Sequence, residues 1–168
     1  MAGTWDCGKV HKREVSCIPL ATKASTPLHN EQSGELKPSV LQLMDTHIQS
    51  AFAGRVQLRR SSATYNCAGM VFGSRRTWID IDQTELILSE DGYHKLSGRG
   101  MLQKGDVVVY LDGQEAPAHV GVVYRIESPV TDRVIYVLSK WADKGEYIHL
   151  IDDVPATCGR AAQYWTER

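Results

Sequence analysis

Residues 104–126 read KGDVVVYLDGQEAPAHVGVVYRI. Two apolar, β-branched runs, 107–111 and 119–126, flank a turn signal rich in Asp, Gly and Pro. That is the pattern of a β-hairpin. RVIYVLSKW (133–141), GEYIHLI (145–151) and AAQYWTE (161–167) continue the series, separated by ESPVTD, ADKG and DDVPATCG. The second half of the chain therefore predicts an antiparallel meander of about five strands.

Upstream, helical patterns take over. Ser39 and Gln42 have capping-box spacing, Val40, Met44, Ile48 and Phe52 recur at helical spacing, and Gly54 follows as a stop, predicting a helix over 39–53. GRVQLRR (54–60) reads as a short extended segment, and Asp82 and Glu85 cap a further helix that ends before Gly92. Helices first and strands after is the α+β pattern. Residues 1–37 are polar and aperiodic, the composition of a flexible arm, which leaves 38–168 as the folded domain. No internal repeat is present.

The chain has 168 residues, enough for one domain with a real core. Its 19 Lys+Arg against 20 Asp+Glu leave no electrostatic footprint for nucleic acid or an anionic membrane. No apolar run approaches the ~20 residues that span a bilayer. The N-terminus lacks an apolar signal-peptide core, so the expected location is the cytoplasm, or outside by a route without a Sec signal peptide. Four cysteines, Cys7, Cys17, Cys67 and Cys158, are too few for a disulfide scaffold and suit a reducing compartment. Cys7, His11 and Cys17 match no common zinc module, and no Gly-rich phosphate loop is present. No metal and no cofactor is expected.

The chemistry-bearing stretch is TYNCAGMVF, 64–72. A helix that starts at Cys67 would put its thiol at a positive helix end, with the small residues Ala68 and Gly69 letting substrate approach the sulfur. Backbone N–H groups at that start, flanked by Asn66 and Ala68, would hold an oxyanion. A nucleophilic Cys needs a base. His11 and His29 lie in the arm, His47 on the first helix, and His94 after a turn. His119 and His149 lie on expected strands, and His119, at the opening of its strand, is the better base. Reflection through a turn centred near residue 130 sets His119 opposite 139–141, and the next hairpin brings 147–149 alongside 138–140. Either Ser139 or His149 could then orient the imidazole. Trp78, Trp141 and Trp165 read as core or cleft-wall residues, Trp141 being the substrate-side candidate. Arg75-Arg76 reads as a solvated turn, Lys140 as a solvated lysine, and Asp106 as ordering the turn into its strand.

Cys67 at a helix start, the Gly105-Asp106 strand and then His119-Val-Gly-Val-Val resemble the NlpC/P60 and CHAP branch of the papain-like cysteine hydrolases. TYNCAGMVFGSRRTWID together with SKW, GEYIH, VP and YW at 139–165 is similar to a group of small bacterial NlpC/P60-like proteins. The resemblance covers roughly residues 55–167, with Asn-Cys-Ala where the common form has Asp-Cys-Ser. It implies a papain-like α+β fold, helices packed on an antiparallel sheet. Cys67 would be nucleophile, His119 base, and a polar residue on the next strand the orienting group. It also implies a cysteine peptidase or amidase acting on a peptide amide, most often in a peptidoglycan stem peptide. A wall target would make the protein a secreted antibacterial effector, matched by a cognate inhibitor protein. The alternatives are a cytosolic deamidase or acyltransferase, or a catalytically silent binding module of the same fold.

Overall fold

The computed structural model describes residues 16–127 and 133–168. Among these residues nine strands and three α-helices follow in chain order: β1 (Asn30–Glu31), α1 (Pro38–Ala51), β2 (Gln57–Arg60), α2 (Cys67–Val71), β3 (Trp78–Ile79), α3 (Thr84–Glu90), β4 (His94–Lys95), β5 (Val107–Leu111), β6 (Pro117–Glu127), β7 (Val134–Lys140), β8 (Glu146–Leu150) and β9 (Arg160–Thr166). The class is α+β, and the large sheet is antiparallel throughout.

That sheet has seven strands, in the order β2-β8-β7-β6-β5-β9-β4, rather than about five. The meander holds from β5 to β8. β9 then leaves it and returns to pair with the far side of β5. The reason lies in the composition of β5. Its five residues VVVYL do not alternate, and all are buried. Such a strand needs a neighbour on each edge and cover on each face. Val107, Val109 and Leu111 meet Cys67, Ala68, Ile87, Leu88 and Leu28 on one face, while Val108 and Tyr110 meet Leu102, Val123, Val137 and Ile151 on the other.

Helix α1 starts at Pro38 with Lys37 as an N-cap that makes no side-chain bond, so no capping box forms. Its buried face carries Leu41, Asp45 and Ile48, and Val40 is exposed. The expected stripe through Val40 and Met44 is turned by one residue because Asp45 is buried against Tyr147. It accepts from Tyr147 Oη at 2.5 Å and from Ser61 Oγ at 2.5 Å.

Residues 16–37 pack on the domain, where the composition had predicted a flexible arm. Leu28 enters the core and β1 pairs with β3. Asn30 bonds the backbone of Ile18 and Leu28, and Glu35 accepts from Ser62 Oγ and Ala63 N–H. Polar side chains, which made this segment read as a loop, are what fasten it. The remainder of that arm, 1–15, and most of the ESPVTD turn lie outside the described residues. Cys17 is disulfide-bonded and Cys67 and Cys158 are free, so the cysteines are not uniformly reduced.

Gly69 has a backbone reason for being glycine. A Cβ there would stand 1.8 Å from the carbonyl oxygen of Thr77. The expectation that Gly69 clears a path for substrate is replaced by this contact between α2 and the segment before β3. Gly69→Ala is expected to cost about 3 kcal/mol, the upper end of overpacking. Denaturant unfolding measures it, and an unchanged midpoint would refute the contact.

Candidate active site

Asn66 sets the start of α2. Its backbone is extended, and its Oδ1 accepts from Gly69 N–H at 2.9 Å, an N-cap bond. The same oxygen accepts from Ile79 N–H at 3.1 Å, and Nδ2 donates to Ile79 O at 2.7 Å. Asn66 lines the cavity, and its Oδ1 and one of the two Nδ2–H groups hold α2 on β3. Cys67, the first helical residue, is buried at that junction.

Cys67 and His119 line one cavity of about 410 Å³, together with Asn66, Trp78, Trp141 and Cys158 among others. His119 lies near the start of β6, opposite Tyr110 of β5, and its ring packs on that of Tyr110 with centroids 5.3 Å apart. Burial pushes the Cys67 thiol up, and the N–H groups of Val120, Ala68 and Cys67 and the Lys140 ammonium pull the other way without offsetting it. Burial, with a smaller contribution from His149, pushes His119 down to about 3. Both groups therefore rest neutral at pH 7. His119 Nε2 is buried and, among the described residues, has no hydrogen-bond partner.

The β6–β7 register pairs Gly121 with Ser139, and continuing it sets His119 level with Trp141, within the expected 139–141. Gly121 leaves room for this approach, since a Cβ there would lie 2.5 Å from Val137 Cγ1 and 3.0 Å from Ser139 Cβ. The β7–β8 register pairs Ser139 with Tyr147 and Val137 with His149, one residue from the expectation.

Ser139 and His149 are together, but they serve each other. Ser139 Oγ lies 2.8 Å from His149 Nε2 and accepts from Trp141 Nε1 at 2.9 Å. His149 Nδ1 lies 2.7 Å from Leu150 O. One proton arrangement satisfies all four groups: Trp141 donates to Ser139, Ser139 to His149, and His149 to Leu150. Neither Ser139 nor His149 bonds His119. Trp141 faces the cavity and packs against Tyr147, Phe52 and His149. Ala68 is fully buried and does not line the cavity; its contribution is the N–H toward the sulfur.

Two features were not legible in the chain. Cys158, in what reads as a turn, joins the cavity wall, with its thiol pushed up to about 12 by burial. Lys140, expected in solvent, is fully buried. Both need the fold, because no local pattern marks them. Among the described residues no group of three or more His, Cys, Asp or Glu could hold a metal ion, and no helix is long and apolar enough to cross a membrane. Compared with protein-family models, curated proteins and solved structures, the chain matches none.

Two buried histidines make stability depend on acid. His119 and His149 have folded values of about 3 and about 4, below their ordinary 6.5. The unfolded chain thus takes up protons first as pH falls. Their contribution is complete above about pH 6.5 and is lost as pH drops toward 4. Urea midpoints should fall across that window, and a flat profile would mean the histidines are not held neutral.

Proposed function

We propose that the chain is a cysteine hydrolase of the NlpC/P60 kind that cleaves an amide bond in a peptide. The observation that carries this reading is the shared cavity: a buried thiol at the start of α2 and a buried neutral imidazole on β6 line the same space. Backbone N–H groups directed at the sulfur add to it.

Because thiol and imidazole rest neutral, proton transfer accompanies attack rather than preceding it. Cys67 Sγ bonds to the amide carbonyl carbon while His119 takes the thiol proton. The carbonyl oxygen becomes an oxyanion facing backbone N–H groups. His119 then gives its proton to the leaving amine, and a thioester remains. Water, deprotonated by His119, attacks the thioester and releases the acid and the free thiol. A neutral imidazole suits the first step, since a protonated one could not accept.

A peptidoglycan stem peptide is the first substrate class to try. The disulfide at Cys17 fits an oxidising compartment better than the cytosol, which favours an exported protein over a cytosolic deamidase or acyltransferase. A cognate inhibitor protein belongs with that reading.

A second reading has its own observation. Among the described residues His119 Nε2 has no hydrogen-bond partner, and the thiol is raised rather than lowered. Both suit a catalytically silent module that uses the cavity for recognition.

Hydrolysis of peptidoglycan fragments separates the two. Cys67→Ala and His119→Ala should each lose at least about 100-fold in kcat/KM, the scale of general-base and nucleophile loss. A Cys67→Ala protein that keeps its biological effect would leave the silent module standing.

A further inference from the structure

Lys140 ends β7 with no part of its surface exposed. A buried ammonium is ordinarily held by a carboxylate, because desolvating an unpaired charge is costly. Among the described residues no ion pair includes Lys140. Its Nζ donates to the backbone oxygens of Ala142, at 2.5 Å, and Lys144, and lies 5.4 Å from the centroid of the Tyr65 ring.

The carboxylates that bear on it are engaged elsewhere. Glu146, paired with Lys140 across β7 and β8, receives Tyr65 Oη at 2.8 Å and Arg75 Nε at 2.5 Å. Glu35 is taken by Ser62 and Ala63, and Asp143 by the Lys144 ammonium. Among the described residues no carboxylate cancels this cation by direct contact.

Its surroundings lead to the cysteine. Ala142 and Lys144, whose oxygens hold Nζ, line the cavity that Cys67 and His119 share. Tyr65, under the ammonium, stands two residues before Cys67. Val120, whose N–H favours charge on the Cys67 sulfur, follows His119 on β6; Lys140 follows Ser139 on β7; and Ser139 pairs with Gly121. Alternation along β7 sends Lys140 to the face opposite Ser139.

We propose that Lys140 is a positioning residue of the cysteine site, its buried and unpaired ammonium stabilising the negative charge that forms on the Cys67 sulfur. This rests on the reading of Cys67 as nucleophile. Burial pulls Lys140 down to about 8, while Asp143, Glu146, Cys67 and Glu35 act against that. The side chain therefore remains mostly charged at pH 7, where a neutral thiol needs help in losing its proton.

The test is the pH profile of iodoacetamide labelling at Cys67, read by mass spectrometry of the Cys67 peptide, from about pH 6 to about pH 10. Lys140→Met should move the profile up by about one pH unit, a tenfold slower labelling at neutral pH, whereas Lys140→Arg, which keeps the charge, should show no such upward shift. A Lys140→Met protein that folds and keeps the wild-type profile overturns the proposal. If Lys140→Met does not fold, the shape of the wild-type curve decides. An ammonium that titrates near 8 beside the thiol broadens that curve beyond a single proton, whereas Lys140→Arg, charged throughout, gives a single-proton curve at lower pH. Single-proton curves at one midpoint in both proteins overturn the proposal. The hydrolase reading fails separately, by absence of turnover in wild type, because the Lys140 effect is a difference between labelling profiles and needs no substrate.

Discussion

Three hydrogen bonds from one side chain, Asn66, hold the structure's central junction. They tie the first turn of α2 to both backbone groups of Ile79 and thereby fix where Cys67 stands relative to the sheet. α2 is five residues long and could not hold itself in water. It exists because Asn66 caps it, because Gly69 lets it close on Thr77, and because Cys67, Ala68 and Met70 are buried. β1 adds a second fastening by pairing with β3. The N-terminal segment is thus part of the apparatus that seats the cysteine.

Buried polar groups in this molecule fall into two kinds. Most are closed sets. Buried Asp45 is satisfied by Tyr147 and Ser61, buried Glu146 by Tyr65 and Arg75, and Trp141, Ser139 and His149 form a chain that ends on a backbone carbonyl. Networks completed in this way stabilise and specify a fold. Among the described residues, His119 Nε2, with no partner, and the Lys140 ammonium, with no counter-ion, stand outside. Both adjoin the cavity that contains Cys67. An incomplete polar group inside an otherwise satisfied core is where a fold keeps capacity for chemistry.

The polar closure of Ser139 and His149 also changes the view of the third position. Topology brings Ser139 opposite Gly121, two residues along from His119. Hydrogen bonding then gives its hydroxyl to His149 and takes the Trp141 indole in return. The imidazole of His119 is held instead by packing on Tyr110 and by the strand that carries it. Shape fixes its orientation here.

The five apolar runs from residue 107 onward, the helix through Ile48, the α+β class and the placing of Cys67 and His119 on a helix start and a strand were all legible in the chain. Each depends on local periodicity, capping and turn chemistry, which short windows carry. Pairing of β9 with β5, the packing of 16–37 on the domain and the turned face of α1 were not, because each answers to partners far away in sequence, such as Tyr147 for Asp45 or Ile79 for Asn30. Lys140 shows the same division most sharply. By composition a lysine at a strand end belongs in water, and only the tertiary structure, by closing Tyr65 and the β7–β8 turn over it, removed that water and set its ammonium on backbone carbonyls.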